Sequence, residues 1–242
     1  MVILEDWLNY NKLKLNTDKS QWWSNAPPLY FGDRCLKLTD VYNYLGFHID
    51  KNLSFSEHIN LLCTKLSRCN GIIYSLRNYC STDILRSIYF ALGHSCILQH
   101  ILLWGGATVH LQKRVQISQN NILRNILPKT LGTSDLYSDL NILHIRQVYI
   151  YNSLLFLYKW LRMNDYGMLN SEKNTVLFQH RYSSRGKSNL SLPFPRVEKH
   201  RQFVLYNAIK EWNELPVHLR NITSFTSFKA NILKYVKESI RY

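Results

Sequence analysis

Apolar positions in this 242-residue chain change their period once near residue 52 and lose it again after residue 163. Up to residue 52 they come in short runs. "LYFGDRCLKL" (Leu29–Leu38) and "VYNYLGFHI" (Val41–Ile49) read as two strands of a hairpin, with Asp33 and Asp40 at turns or strand ends and a tight bend at Gly46. Ahead of them, "EDWLNYNKLKLN" reads as the end of an amphipathic helix running into a short strand at Lys12–Asn16. From Leu53 the period is helical: Ile59, Leu62, Leu66, Cys69, Ile73 and Leu76 share one face. Ser54 and Glu57 have capping-box spacing at its start. A second helix starts at Thr82-Asp83 and stops at Gly105-Gly106; a third spans about Leu111–Leu127 and ends at Pro128; a fourth spans Ile145–Met163. Residues 164–198 are rich in Ser, Pro and basic types and read as an exposed, extended connection. A last helical pair covers about Lys199–Trp212 and Phe225–Ser239. The pattern predicts a mainly α protein with a small β portion. Its expected parts are a strand-bearing 1–52, a helical bundle over 53–163, a basic connection over 164–198 and a C-terminal helical segment over 199–242.

Composition adds one strong bias. Thirty Lys and Arg stand against sixteen Asp and Glu, a formal net charge of +14, while 46% of residues are hydrophobic. The chain can build a core, and its field attracts polyanions, nucleic acid first. Lys65, Arg68, Lys113, Arg114, Arg185 and Lys187 are candidate phosphate contacts. Tyr42, Tyr44, Phe47, Trp104, Trp160, Tyr182 and Phe194 are candidate stacking partners for bases. The five cysteines are odd in number, lack CxxC spacing and mostly sit in apolar patterns, which suggests a reducing compartment. Glu5 and Asp6 stand where a signal peptide would need a basic start and an apolar run, and Arg86, His94, Gln99 and His100 interrupt the most apolar later stretch. No membrane association is expected, and nucleus or cytoplasm is the expected location.

Enzymatic signatures are sparse. Nucleotidyl transfer with two metal ions needs convergent carboxylates, and the chain has no Asp-Asp pair; Asp33, Asp40 and Asp50 read as turn or strand-end residues. His94, Cys96 and His100 point apart on one helix, so no metal site is expected even with Cys80 near. Gly105-Gly106 is not followed by the lysine of a phosphate-cradling loop.

Taken in order, several segments resemble the C-terminal part of non-LTR (LINE-type, jockey-like) retrotransposon reverse transcriptases. "WLNYNKLKLNTDKSQ" resembles the family's motif D and "YNYLGFHID" its motif E, the primer grip. "LSFSEHINLLCTKLSRCNGIIYSLRNY" and "ILRSIYFALGHSCILQHILLWGG" resemble the first two thumb helices, with the family's Trp-Gly at Trp104-Gly105. "LQKRVQISQNNILRNIL" and "DLNILHIRQVYIYNSLLFLYKW" resemble the helices that follow. "FVLYNAIKEWNELPVHLRNITSFTSFKANIL" resembles the terminal segment, with Trp212-Asn213, Leu215-Pro216 and Phe228-Lys229.

The resemblance implies the end of a palm with a primer-grip hairpin, then a thumb. It implies that Tyr44, Leu45 and Gly46 lie beside the primer terminus, and that Lys19 stands where a motif D general acid protonates pyrophosphate. The family enzyme uses Mg2+, held by aspartates upstream of motif D, so no cofactor is expected in this chain. The expected function is that of a fragment of an RNA-directed DNA polymerase that binds template–primer without catalysing addition alone, with the upstream polymerase portion as a possible partner. A stand-alone basic nucleic-acid-binding module and a helical interaction protein are the alternatives.

Overall fold

The computed structural model describes residues 2–16, 20–22, 28–31, 34–127, 133–163, 189–192 and 196–239. The protein is mainly helical with a small strand portion, as the periodicity predicts. It divides into two compact units, Met1–Asn60 and Leu61–Tyr242.

In the first unit, helix α1 (Val2–Tyr10) ends in a left-handed residue, Lys12, with φ 54°. Leu13 N–H donates to Leu8 O at 2.9 Å and Lys12 N–H to Asn9 O at 3.1 Å, a Schellman closure with lysine in the position glycine usually takes. The strand expected at Lys12–Asn16 does not form, because the chain folds back over the helix end there. The expected Leu29–Leu38 strand is also corrected. It is three pieces: β2 (Tyr30–Phe31) pairs antiparallel with β3 (Arg34–Cys35), and β4 (Lys37–Leu38) pairs parallel with β1 (Gln21–Trp22). Gly and Asp, turn-forming types, separate the first two pieces in sequence. The hairpin lies wholly inside "VYNYLGFHID". There β5 (Val41–Tyr44) pairs with β6 (Phe47–Asp50) in the register Val41↔Asp50, Tyr42↔Ile49, Asn43↔His48 and Tyr44↔Phe47.

Helix α2 (Ser56–Leu76) starts two residues after the expected cap. Ser54 Oγ accepts from Ser56 N–H at 3.3 Å and itself donates to Asp50 at 3.0 Å, so it links loop to helix and is not half of a capping box.

In the second unit the single helix expected over 82–104 is broken. Helix α3 (Thr82–Ile88) gives way to a π-helical turn at Tyr89–His94, then α4 (Ser95–Leu98) and α5 (Ile101–Trp104). Gly93 packs so closely that a Cβ there would lie 3.0 Å from the Tyr89 ring and 3.3 Å from Cys69 Sγ. His100, left-handed at φ 58°, separates the last two pieces, and the buried Trp104 bridges the break by donating Nε1–H to Gln99 O at 3.1 Å. Helices α6 (Val109–Ile126), α7 (Thr133–Asp139) and α8 (Ile145–Met163) follow. The helix expected from Lys199 opens as a 3-10 turn (Glu198–Gln202), and α9 begins only at Val204 and runs to Glu214. Helices α10 (Val217–Arg220) and α11 (Phe225–Ser239) complete the chain.

Helix α8 is the centre of this unit and packs against α5, α6, α9 and α11. Ile150, Leu154, Leu157, Tyr158 and Trp160 join Ala208, Ile209, Trp212, Phe228, Ile232 and Val236 in one buried cluster. Tyr158 stacks on Phe228 with centroids 4.2 Å apart. Residues 189–192, expected as part of an exposed connection, are instead fastened to α9. Asn213 accepts from Leu190 N–H at 2.8 Å and donates to Leu190 O at 3.0 Å, while Leu190 and Leu192 pack on the core. Of the rest of that connection, 164–188 and 193–195 lie outside the described residues.

Two glycines join the α5 end to its neighbours. A Cβ on Gly105 would lie 2.3 Å from the Tyr149 ring, and one on Gly106 would lie 1.9 Å from the Gln202 carbonyl oxygen. A buried polar network ties α6 to the elements around it. Gln119, with no exposed surface, donates to Tyr89 Oη at 2.8 Å and to Leu143 O at 3.0 Å, and accepts from Tyr137 Oη at 2.9 Å. His144 stacks on Tyr137 at 3.6 Å between centroids. Among the described residues, no helix is long and apolar enough to cross a membrane.

This packing has two measurable consequences. Gly106→Ala lowers the thermal stability of the helical unit by about 1–3 kcal/mol, because backbone must move to admit the methyl group; calorimetry of the two proteins checks it. Burial holds the His144 pKa down at about 4, against an ordinary 6.5. As pH falls from 6.5 towards 4, the unfolded state takes up a proton that the folded state refuses, so stability drops across that window. His144→Phe flattens the drop in denaturant titrations taken at several pH values.

Candidate nucleic-acid interface

The hairpin tip combines strain with exposure. Leu45 (φ 51°) and Gly46 (φ 82°) both have positive φ, as in the mirror-image turns that suit a two-residue hairpin loop. Asn43 accepts from Gly46 N–H at 3.0 Å and closes the turn from the side. Glycine is at home there; a left-handed leucine costs about 1–2 kcal/mol. Leu45 is 78% exposed, so packing within the unit does little to offset that cost. Beside it Tyr44 is 57% exposed, and its ring stacks with Tyr42 at 6.4 Å. The tip is thus an apolar and aromatic surface held out to solvent.

Beneath the tip the hairpin is anchored by Asp50, which the chain's spacing marks only as a strand end. Its side chain is largely buried and accepts from four donors: Asn52 N–H at 3.0 Å, Ser54 N–H at 3.0 Å, Ser54 Oγ–H at 3.0 Å and Phe55 N–H at 2.8 Å. Leu53 (φ 51°) and Phe55 (φ 62°) are both left-handed inside this loop. The Phe55 and His58 rings cover Phe47, at 5.7 Å and 4.5 Å between centroids. Burial alone would raise the Asp50 pKa, but hydrogen bonds from Ser54, Phe55 and Asn52 outweigh it and leave the carboxylate below its ordinary value. A periodicity search has no way to find such an anchor. Its sequence trace is an aspartate followed by small or polar residues at the second and fourth positions, a loop-forming pattern. Asp40 is different: it is exposed and pairs with Lys51 at 2.9 Å. Asp33 lies outside the described residues.

In the helical unit, Lys65 and Arg68 stand three residues apart on α2 and are both exposed. One turn further on is Gly71, whose missing Cβ would meet nothing within 4 Å. A glycine in a helix interior costs about 0.5–1 kcal/mol relative to alanine, and among the described residues no neighbour requires this one. Beyond it Arg77 stacks over the Tyr74 ring at 4.0 Å and donates to Asn125 Oδ1 at 3.2 Å. Lys113 and Arg114 are consecutive on α6, so they point about 100° apart; Lys113 is exposed and Arg114 half-buried. Lys19, Arg185 and Lys187 lie outside the described residues, as do Tyr182 and Phe194.

Three expected stacking residues are corrected: Phe47, Trp104 and Trp160 are core side chains, buried by hairpin and helix packing. Among the described residues no three His, Cys, Asp or Glu side chains converge as a metal-holding group. Burial pushes the Cys69 thiol up to about 11, so it stays protonated at neutral pH.

Comparison with known proteins finds a relative at low identity. Over 151 residues the chain is 26% identical to the RNA-directed DNA polymerase from mobile element jockey of Drosophila melanogaster, a match covering 57% of this chain and 16% of the relative. The chain thus spans a small part of that relative's length. No family model matches the chain, and no solved structure matches it. The match agrees with the resemblance to jockey-like reverse transcriptases read from the sequence.

The hairpin geometry yields two expectations. Leu45→Asn raises the stability of the strand-bearing unit by about 1 kcal/mol, since asparagine tolerates the left-handed region; chemical denaturation followed by hydrogen exchange of the hairpin amides measures it. Asp50→Asn lowers it by about 1.5–3 kcal/mol. The stabilisation from Asp50 is fully present above the ordinary carboxylate value of 3.8 and is lost as pH falls through the lower folded value. Acid titration of the variant therefore lacks the wild-type transition in that range.

Proposed function

We propose that this chain is the primer-grip and thumb portion of a non-LTR retrotransposon RNA-directed DNA polymerase, and that it binds template–primer duplex. The observation that carries the reading is the hairpin tip. An exposed leucine in a left-handed turn, flanked by a tyrosine, weakens the fold and serves no internal contact that offsets the cost. Such strain collects where a backbone must meet a ligand. Leu45 has no group for a phosphate, so its surface suits the sugar and base edges at a primer terminus, while Gly46 lets backbone come close.

Lys65 and Arg68 supply the phosphate contacts that give affinity without reading sequence. Gly71, one turn along the same helix, leaves bare backbone beside them where a nucleic-acid backbone can approach. Tyr44, Leu45 and Gly46 position the terminus, and positioning has a large effect: a displacement of about 1 Å can cost on the order of 100-fold in rate. The 242 residues contain no adjacent aspartate pair, so the proposed role is to hold substrate for carboxylates supplied by a polymerase portion. Lys113, Arg114, Arg185 and Lys187 are proposed as further phosphate contacts, and Lys19 as a general acid when the polymerase portion is present.

Filter binding to an RNA template annealed to a DNA primer, titrated with salt, tests the reading. On the duplex-DNA scale each phosphate neutralised by the protein contributes roughly 0.9 to the log–log slope, so Lys65→Glu with Arg68→Glu flattens it by roughly 2. Gly71→Ala stabilises α2 by about 0.5–1 kcal/mol and weakens duplex binding at the same time. Wild-type affinity that does not respond to salt, or a Gly71→Ala protein that binds as tightly as wild type, contradicts the proposal. Primer extension by the 242 residues alone, in magnesium on poly(rA)/oligo(dT), contradicts the assignment of catalysis to another portion.

A further inference from the structure

Asp50 stands in the hairpin's last pair, opposite Val41, at the end away from the tip. Its carboxylate nevertheless reaches the tip through a short series of contacts. It accepts from Phe55 N–H at 2.8 Å and from Ser54 N–H and Oγ–H at 3.0 Å each. These bonds hold Phe55 in a left-handed conformation, φ 62°, that a bulky residue rarely adopts. In that conformation the Phe55 ring lies on Phe47, 5.7 Å between centroids, and His58 closes over Phe47 at 4.5 Å. Phe47 is 3% exposed and pairs with Tyr44 in the last rung before Leu45-Gly46. Every member of the series belongs to the first unit.

A two-stranded hairpin is flexible on its own, because two strands bury little. Here one rung beneath the tip is clamped from the side by Phe55 and His58, and the clamp is set by the carboxylate. The loop contains two left-handed non-glycine residues, Leu53 and Phe55, so it springs to other conformations when the acceptor is removed.

We propose that Asp50 is a positioning residue: through the Asp50–Phe55–Phe47 contacts it sets the attitude of the Leu45-Gly46 tip against the 3′ end of a primer. This rests on the primer-grip reading of the tip and deepens it. It assigns to an acidic residue, repelled by nucleic acid and turned away from it, a part in holding nucleic acid. Asp50 acts on where the terminus sits, and the basic helical surface acts on how tightly the duplex binds. The two effects separate in experiment.

The test uses the 242-residue chain and a primer whose 3′-terminal base is 4-thiothymine, annealed to an RNA template. Crosslinks formed on irradiation are mapped by peptide, and duplex affinity is measured in parallel. In the wild type, crosslinks fall on residues 42–49. Leu45→Gly reports on the primer-grip reading itself and lowers their yield at least fivefold. Asp50→Asn lowers the yield by a similar factor and spreads the crosslinks to other peptides, with duplex affinity within about twofold of wild type. Hydrogen exchange then shows free amides at residues 52–55 and protected amides in the β5–β6 pairs. An Asp50→Asn protein with a freed loop and an undiminished crosslink at 42–49, beside a Leu45→Gly protein without it, overturns the positioning role and spares the primer grip. An unchanged yield in both variants overturns both. Should Asp50→Asn unfold the hairpin, Ser54→Ala decides: it removes one donor to the carboxylate, and a partial drop in crosslink yield supports the role while an unchanged yield overturns it.

Discussion

The burial of helix α8 on nearly every side is the constraint from which the helical unit is built. Leu154, Leu157 and Trp160 have no exposed surface, and Tyr149, Ile150 and Tyr158 have almost none. A helix apolar all round cannot lie on a surface, so other elements must enclose it. Helices α5 and α6 come from one stretch of the chain and α9 and α11 from another, which makes the C-terminal segment part of the same core. The two glycines after Trp104 are consequences of that enclosure. They let the end of α5 touch the Tyr149 ring and the Gln202 carbonyl without a side chain between. The Trp-Gly and Trp-Asn pairs that carried the family resemblance thus have packing roles here. Trp104 bridges the break at His100, and Asn213 holds both backbone groups of Leu190.

The strand-bearing unit obeys a different rule. Its strands are short, and what steadies the β5–β6 hairpin is one carboxylate with four donors and an aromatic clamp over Phe47. Hydrogen bonds to a charged acceptor are stronger than neutral ones, and this acceptor is largely buried. The unit therefore depends on a local polar anchor where the helical unit depends on apolar burial. Its exposed tip gives up part of that stability to a left-handed leucine.

The sequence made the long elements legible because a 3.6-residue apolar period persists over many turns in α2, α6 and α11, and because α8 is a long, largely apolar run. It was less informative wherever one residue decided the geometry. The broken helix over 82–104 turns on the left-handed backbone at His100 and on the close contact of Gly93 with Tyr89, neither of which residue type alone discloses. The strand read over Leu29–Leu38 was too short and too interrupted for alternation to fix its partners. At the candidate site, the bend at Gly46 was readable from residue type, since glycine favours positive φ. The left-handed Leu45 beside it, the anchor at Asp50 and the open space over Gly71 were not, because they are properties of backbone angles and neighbours.

The chain's similarity to the jockey RNA-directed DNA polymerase and its positive charge underlie the proposal of nucleic-acid binding, and two surfaces stand out as costly to the fold: the Leu45-Gly46 tip and the bare backbone at Gly71. The central claim is that these surfaces meet template–primer. The most direct measurement is hydroxyl-radical footprinting of side chains with and without an RNA–DNA hybrid. Tyr44, Leu45 and Ile72 are expected to be shielded by the hybrid, with the exposed Val217 labelled as before. Shielding confined to other residues, or none at hybrid concentrations that saturate binding, would contradict the claim.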